Sequence, residues 1–351
     1  MNSERQVDKN FIVKEINSRK YEFRNCLEPP FKIYGVIRPS EEYPYFQRIP
    51  QEIADTISPN VALLIRKTAG GRVRFCTDSS AVAIRAELVP FSRMPHFSLT
   101  GTTGLDLYAD NVCMGAFLPH YDVTDGYEQD IKLGQRKMRQ ITIHMPLYGG
   151  IRNLEIGLEP GARLLPCPEY RIATPVVYYG SSITQGGCVS RPGTAYEHVI
   201  SRRLDCDHIN IGLSGNAKGE ENMAKYIAGL TMSAFVMDYD YNAPTPEHLE
   251  ATHSRMFRSI RQAQPELPII MVSSPAPVLD ENGIVCRQII RNTYETALRE
   301  GDQNVWFIDG SEMIRTFGGA EGLVDNCHPN DLGFACMAQV IGDKLENILC
   351  K

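Results

Sequence analysis

Apolar and polar residues alternate with a period of two through the first half of the chain. Residues 82–88, 141–145 and 154–158 all show this alternation, which is typical of half-buried strands. Glycine-rich turns such as Ala69-Gly70-Gly71 separate the runs, and helical periodicity is scarce. Residues from about 30 to 160 are therefore predicted to form a β-sandwich or jelly roll.

The second half has a different pattern, in which short apolar runs alternate with stretches of helical spacing. The predicted strands are 176–179, 208–211, 234–237, 269–272 and 305–308, and the predicted helices are 194–204, 220–229, 246–264, 287–300 and the stretch from Asp331. Alternation of this kind predicts an α/β domain with a parallel sheet. In the last helix Phe334, Met337 and Ile341 follow helical spacing, so one face is expected to pack on the sheet.

The length of the chain also indicates two domains, because 351 residues exceed what one hydrophobic core usually serves. We predict an amino-terminal β-domain over 1–160, a linker over 161–173 that contains Pro166 and Pro168, and an α/β domain over 174–351.

Composition and charge exclude several classes of partner. The formal net charge is −6 and the one dense basic run, 135–139, is short, so no nucleic-acid partner is expected. No apolar stretch approaches the ~18 residues of a membrane span. Residues 1–6 are polar and form no apolar leader core, so the chain as written is expected in the cytoplasm, or in the periplasm or outside the cell if a leader has been removed. The ten cysteines form no CxxC pair, which favours free thiols and no metal site.

A serine stands where the first apolar run of the α/β half ends. The run 176–179 leads into Gly180-Ser181-Ser182. A sheet fixes the backbone of a serine at this point, and glycine lets a substrate carbonyl approach. Ser182 is therefore a candidate nucleophile, although an ordinary strand-to-helix turn has the same composition.

Partners for such a serine occur near the carboxyl terminus. Asp325 and His328 are three residues apart, and Pro329 follows them. An imidazole can remove the proton of a serine hydroxyl, and a carboxylate can hold that imidazole in one tautomer. The alternative is a His-Pro pair that simply precedes a helix.

Four separated blocks of the chain resemble those of the SGNH or GDSL hydrolases. These blocks are Gly180-Ser181-Ser182-Ile183-Thr184, Gly212-Leu213-Ser214-Gly215-Asn216, Asp238-Tyr239-Asp240-Tyr241-Asn242 and Asp325-Asn326-Cys327-His328. The resemblance implies a flavodoxin-like three-layer domain with Ser182 as nucleophile, His328 as general base and Asp325 as its orienting carboxylate. It also implies an oxyanion hole made by the backbone N–H groups of Ser182 and Gly215 and the side-chain amide of Asn242.

Two of the blocks depart from the family pattern. Ser181 replaces the usual aspartate after the first glycine, and the third block has Tyr241 and Ala243 in place of the usual glycine and following aspartate. Asp240 and Tyr241 directly precede Asn242 of the proposed oxyanion hole and are candidate substrate contacts. For Asp240, a carboxylate that only forms hydrogen bonds within its own loop is an equal explanation.

Residues 104–108, Gly-Leu-Asp-Leu-Tyr, resemble the GxDLY motif of the amino-terminal domain of certain SGNH-type esterases. A structural role for Asp106 and Tyr108, as a turn and a core tyrosine, is the default expectation. Contact with carbohydrate is the alternative.

Together the resemblances imply a serine esterase without a cofactor. The expected substrate is a short, acetyl-like acyl ester on a small molecule, a carbohydrate or a glycoside, cleaved through an acyl-enzyme on Ser182. One alternative is an acyltransferase with the same triad. Another is a silent glycan-binding protein, which the presence of Ser182, Asp325 and His328 disfavours. A homo-oligomer is compatible with the sequence.

Overall fold

The first half of the chain forms two antiparallel sheets. The computed structural model describes residues 20–276, 278–314 and 320–350, so residues 1–6 lie outside it. The strands are β1 (Glu22–Asn25), β2 (Lys32–Tyr34), β3 (Arg72–Thr77), β4 (Ala81–Val89), β5 (Leu105–Ala109), β6 (Val112–Phe117), β7 (Gly126–Lys132), β8 (Arg139–His144), β9 (Gly150–Leu158) and β10 (Leu164–Leu165). One sheet has the order β1-β9-β4-β7 and the other the order β10-β3-β8-β5-β6, with β2 paired to β3. This is the arrangement of a double-sheet jelly roll.

The two sheets enclose one apolar core. Alternate residues of both sheets contribute to it, among them Val82 and Ile84 of β4 and Ile141 and Ile143 of β8. The apolar residues of the period-two pattern therefore face this core, as predicted. Leu164 and Leu165, which the sequence placed in the linker, pair with β3.

The second half forms a five-stranded parallel sheet between two layers of helices. The strands are β11 (Ile172–Gly180), β12 (Cys206–Gly212), β13 (Ala234–Asp238), β14 (Ile269–Val272) and β15 (Val305–Ile308), in the order β12-β11-β13-β14-β15. The helices of this half are α4 (Tyr196–Leu204), α5 (Glu221–Ala228), α6 (Pro246–Ala263), α7 (Glu281–Arg299) and α8 (Asp331–Leu349). Helices α5–α7 pack on one face and α4 and α8 on the other. The predicted fold class, an antiparallel β-domain followed by a flavodoxin-like α/β domain, is confirmed.

Helix α7 begins six residues before its predicted start at residue 287. Asp280 caps the helix by accepting a hydrogen bond from the Gly283 N–H. Ile284 and Val285 in the first turns are exposed, so this part of the helix has no buried apolar stripe that could mark it in the sequence.

Within the described part of the first half, from residue 20 onward, lie the three short helices α1 (Gln51–Asp55), α2 (Pro59–Leu64) and α3 (Leu99–Thr103). Ala54 of α1 and Val61 of α2 share an apolar cluster with Ile211 and Phe235 of the parallel sheet. Part of the first 160 residues therefore packs with the second domain.

The outer face of the second jelly-roll sheet is covered by the α/β domain. His144 is 1% exposed, and Arg72 and Arg74 are also buried. His144 lies on the polar side of its alternating strand, and this side is buried because a second domain covers it. Arg72 forms an ion pair with Asp207 and donates a hydrogen bond to the His208 carbonyl, so the buried charge of Arg72 is neutralised across this interface.

The GxDLY residues lie at the same interface. Asp106, which is 0% exposed, contacts His144 Nδ1 at 2.7 Å and accepts hydrogen bonds from Arg191 (2.8 Å) and the Gly193 N–H (2.7 Å). The Tyr108 hydroxyl accepts a hydrogen bond from Arg191 at 2.7 Å. The role is therefore structural, as expected by default, but Asp106 lies in a strand and not in a turn. It is too buried to meet a carbohydrate. We call these contacts the interdomain clamp.

Charge and burial compete within the clamp. Burial opposes the charge on Asp106, but the interactions with His144, Arg191 and the Gly193 N–H outweigh it and lower the pKa of the carboxyl. Burial lowers the pKa of His144 to about 4 despite the adjacent carboxylate. A neutral imidazole therefore donates to an ionised Asp106 at neutral pH.

Among the described residues, no helix combines the length and the apolar character needed to cross a bilayer.

Candidate active site

Three neighbouring strands of the parallel sheet end at the same level. Gly180 at the end of β11 is in register with Gly212 of β12 on one side and with Asp238 of β13 on the other. The residues that follow must therefore meet above one edge of the sheet, where open α/β folds bind ligands. A side chain at Gly180 would lie 2.0 Å from Thr184 Oγ1 and 2.1 Å from the Asp238 carbonyl, so this tight turn requires glycine.

Ser182 heads a continuous chain of hydrogen-bonded side chains. Its Oγ lies 2.9 Å from His328 Nε2, and His328 Nδ1 lies 2.8 Å from Asp325 Oδ2. Ser182 is 8% exposed, so most of the residue is buried. The three residues predicted as nucleophile, base and orienting carboxylate are thus brought together in the order that nucleophilic catalysis requires.

The loop that carries the histidine is built by its own aspartate. Asp325 Oδ1 accepts hydrogen bonds from the backbone N–H groups of Cys327 (3.2 Å) and His328 (2.7 Å). Burial opposes ionisation of Asp325, but these bonds and the His328 ring outweigh it and lower the pKa of the carboxyl. Asn330 then caps α8 through the N–H groups of its first turn. The carboxylate therefore stays ionised while it orients the imidazole.

The predicted oxyanion donors lie in the loops that follow the neighbouring strands β11, β12 and β13. Among the described residues, no acceptor bonds the backbone N–H of Ser182 or of Gly215. Gly215 has φ +68°, a left-handed conformation that favours glycine. Asn242 Oδ1 accepts the Ala217 N–H at 3.2 Å, which orients the amide so that Nδ2 remains available as a donor. Three neutral donors at strand ends are suited to bind a developing oxyanion.

Ser181, in the place of the usual aspartate, stabilises the turn. Its Oγ accepts a hydrogen bond from the Ile183 N–H at 3.1 Å, and its N–H donates to the Asp238 carbonyl at 3.1 Å. A serine oxygen therefore serves this turn as a short polar acceptor.

The β-domain contributes a tyrosine to the site, which sequence reasoning did not identify. The Tyr148 hydroxyl donates to the Ser182 carbonyl at 3.1 Å, and the Phe97 ring packs edge-on against the Tyr148 ring at 4.8 Å. Burial raises the pKa of Tyr148, so the hydroxyl keeps its proton and can donate. The only sequence signal was Tyr148-Gly149-Gly150, which was interpreted as a turn.

Asp240 and Tyr241 line a cavity of about 370 Å³ that reaches Asn326 of the histidine loop. Asp240 accepts the backbone N–H groups of Ser274 (2.8 Å) and Tyr241 (2.9 Å). Burial raises the pKa of this carboxyl to about 6. Its hydrogen bonds are those of a loop-stabilising carboxylate, and the lining of the cavity does not include Ser182 or His328.

One group of side chains within the described residues has the composition of a metal site. The ligating atoms of His96, Cys188 and His328 all lie within 4.8 Å of one another. Sequence reasoning did not identify this group, because the three residues come from separate segments and match no zinc spacing.

The fold and the strand-end loops define an SGNH-type α/β protein with an amino-terminal jelly roll. Residues 173–346 match the model of the GDSL-like lipase/acylhydrolase family, and residues 21–164 match the GxDLY model, the N-terminus of SGNH-hydrolase-type esterases. The chain belongs to the GDSL-like lipase/acylhydrolase family and carries the GxDLY amino-terminal domain. The resemblance noted in the sequence is thus confirmed.

Solved structures share this architecture over nearly the whole chain. A candidate GDSL-like lipase from Bacteroides ovatus is 27% identical with a TM-score of 0.84, and the match covers 94% of this chain and 98% of that one. The salicylyl-acyltransferase SsfX3 from a tetracycline biosynthetic pathway is 19% identical with a TM-score of 0.77 over the same shares. The acetyl xylan esterase Est2A from the rumen bacterium Butyrivibrio proteoclasticus is 13% identical with a TM-score of 0.59, covering 93% and 98%. No curated protein sequence matches this chain significantly.

Proposed function

We propose that the protein is a serine esterase that removes short, acetyl-like acyl groups from a carbohydrate or another small alcohol. The observation that carries the proposal is the hydrogen-bonded chain from Ser182 Oγ through His328 to Asp325, at 2.9 and 2.8 Å. Membership of an acylhydrolase family supports the reaction class.

In the first half-reaction Ser182 Oγ attacks the ester carbonyl while its proton moves to His328 Nε2. Asp325 stabilises the imidazolium that forms. The carbonyl oxygen becomes an oxyanion, which the N–H groups of Ser182 and Gly215 and the Asn242 amide stabilise. His328 then gives the proton to the leaving alcohol, and the acyl group stays on Ser182.

In the second half-reaction His328 removes a proton from water, which attacks the acyl-enzyme. The oxyanion forms in the same hole, and its collapse releases the acid and returns the proton to Ser182. Tyr148 holds the Ser182 carbonyl, so the backbone of the nucleophile stays in place through both steps.

One observation supports an acetyl-like group on a carbohydrate. Structures with the same fold include the acetyl xylan esterase and a family two carbohydrate esterase from Clostridium thermocellum in complex with cellohexaose, at 13–14% identity. At that identity the likeness concerns the fold.

The test is hydrolysis of p-nitrophenyl esters of increasing chain length and of acetylated xylo-oligosaccharides. The wild type is expected to prefer acetate, and Ser182→Ala to lower kcat by about 10⁴-fold or more. Ser190→Ala changes an exposed serine eight residues along the chain and is the matched control. Equal activity of Ser182→Ala and wild type would refute the esterase, and a preference for long chains would refute the short acyl group.

An acyltransferase is the second candidate, favoured by the likeness to SsfX3 over 94% of this chain. The same acyl-enzyme would then pass its acyl group to an acceptor hydroxyl. Adding sugar alcohols to the ester assay distinguishes the two. A transferase gives acylated acceptor in excess over free acid, whereas an esterase gives free acid at any acceptor concentration.

A further inference from the structure

A second set of ligating atoms surrounds the proposed catalytic histidine. His96 reaches it from the β-domain, with ring centroids 5.5 Å apart, and Cys188 reaches it from the loop after the nucleophile. The ligating atoms of His96, Cys188 and His328 lie within 4.8 Å of one another. Ligands of a tetrahedral zinc ion lie about 3.4–3.6 Å apart, so movements of about an ångström would close the set.

The two additional ligands are held together by contacts between the domains. Ser98 Oγ donates to the carbonyls of Val189 (3.4 Å) and Ser190 (3.0 Å). A Cβ at Gly101 would lie 2.2 Å from the Val189 carbonyl, so the backbones touch here. The segment that carries His96 therefore rests directly on the segment that carries Cys188.

His328 already has the surroundings of a metal-binding histidine. Its Nδ1 is bonded to Asp325 Oδ2, as in the carboxylate–histidine pairs that orient zinc ligands. Nε2 is the nitrogen left for a metal, and it is the atom that contacts Ser182 Oγ. A cation and the serine therefore compete for one lone pair.

Cys188 adds a second observation. It has φ +75°, in the left-handed region where a residue with a Cβ costs about 1–2 kcal/mol relative to its usual conformation. A glycine would relieve that strain, yet a thiol occupies the position. Backbone outliers of this kind cluster at functional sites.

We propose that His96, Cys188 and His328 form a binding site for Zn²⁺ whose occupation inhibits the enzyme reversibly. Two imidazoles and a thiolate suit Zn²⁺, whereas Mg²⁺ and Ca²⁺ prefer oxygen ligands. Binding displaces the proton of Cys188 into solvent and moves Nε2 of His328 from Ser182 to the metal, which leaves the serine without its base. Exposed His96 makes the site open on one side, so water completes the coordination. The inhibitory consequence rests on the proposed function, but metal binding does not.

Cobalt provides a readout that needs no activity. Titration of the metal-free wild type with Co²⁺ is expected to produce a thiolate-to-cobalt charge-transfer band, and Zn²⁺ is expected to displace it. Ser182→Ala removes the competitor for Nε2 and should bind at least as tightly as wild type. If neither protein shows the band, the site is refuted whether or not the wild type hydrolyses esters.

Inhibition is then measured with Zn²⁺ on the active wild type, with EDTA to reverse it. His96→Ala and Cys188→Ser are each expected to raise the half-inhibiting Zn²⁺ concentration by more than about tenfold and to retain activity without metal. His120→Ala and Cys113→Ser change exposed residues of the same types and should match wild type. Equal inhibition of His96→Ala and wild type, or equal inhibition by Mg²⁺ or Ca²⁺, would overturn the proposal.

Discussion

The interdomain clamp makes a sharp prediction about Asp106→Asn. The substitution keeps the size of the side chain and removes a charge that is 0% exposed. An amide cannot accept from His144, Arg191 and the Gly193 N–H together, and its own N–H₂ would face donors. Breaking a buried ion pair from one side costs about 3–5 kcal/mol. Because the Arg191 side chain is 25% exposed, water replaces part of its contact, and we expect about 3 kcal/mol, the lower end of this range.

Thermal unfolding converts this free energy into a measurable shift. At about 2.1 cal/mol/K per residue, the unfolding entropy of a chain of this length is about 0.7 kcal/mol/K, so Tm should fall by about 4 °C. Tyr108→Phe removes the hydroxyl that accepts from Arg191 at 2.7 Å and donates a long bond to the Gly193 carbonyl at 3.4 Å. It should cost about 1–2 kcal/mol, or about 1–3 °C. If Asp106→Asn lowered Tm by no more than Tyr108→Phe does, the conclusion that the charge of Asp106 stabilises the clamp would be refuted.

Three further outcomes follow from the site and the interface. Asn242→Ala should lower kcat by about 10²–10³-fold with little change in KM, because its amide is needed only once the oxyanion forms. A nearby control, Asn216→Ala, should leave kcat unchanged. Equal losses of kcat in the two variants would contradict the assignment of Asn242. Gly215→Ala should destabilise the protein by about 1–2 kcal/mol from its φ of +68° alone, since nothing lies within 4 Å of the added Cβ; a urea midpoint equal to that of wild type would argue against this backbone conformation. Burial lowers the pKa of His144 to about 4 and that of His253 to about 3 in the folded protein. In the unfolded chain both histidines have their ordinary pKa of about 6.5. Below that pH the unfolded chain therefore binds more protons than the folded protein. Stability should therefore be complete above pH 6.5 and fall by about 1.4 kcal/mol per pH unit per histidine toward pH 4, and a constant urea midpoint between pH 7 and 5 would refute it.

The features predicted correctly from the sequence are those set by local pattern. The predicted bounds of the strands 269–272 and 305–308 agree with the observed ones. A short apolar run between two helical stretches is typical of a buried strand in a parallel sheet. The approach of Ser182 to His328 was expected from the chemistry that a serine nucleophile needs and from a family resemblance, and not from the hydrophobic pattern. Periodicity places each residue on its own element but does not bring two elements together.

The features that the sequence did not predict are side chains whose surroundings are set by a distant part of the chain. His144 has the spacing of a solvent-facing residue, yet a whole domain lies over it. Tyr148 follows a strand end and resembles a turn residue, but its hydroxyl reaches Ser182. Neither position carries a local signal, because the partner group comes from a distant part of the chain.

The clamp and the site are connected through one loop. Arg191 and Gly193, which Asp106 holds, belong to the loop whose Ser190 N–H and Thr194 Oγ1 donate to Asp331 Oδ1 at 3.0 and 2.7 Å.

Asp331 is the first residue of α8, three positions after His328. A rigid anchor at the helix start limits how far the preceding loop can move, and the 2.9 Å contact between His328 and Ser182 tolerates little displacement. Tyr148 restrains the serine from the same β-domain. The jelly roll thus holds both members of the nucleophile–base pair, which is a physical reason for the two domains to share one interface.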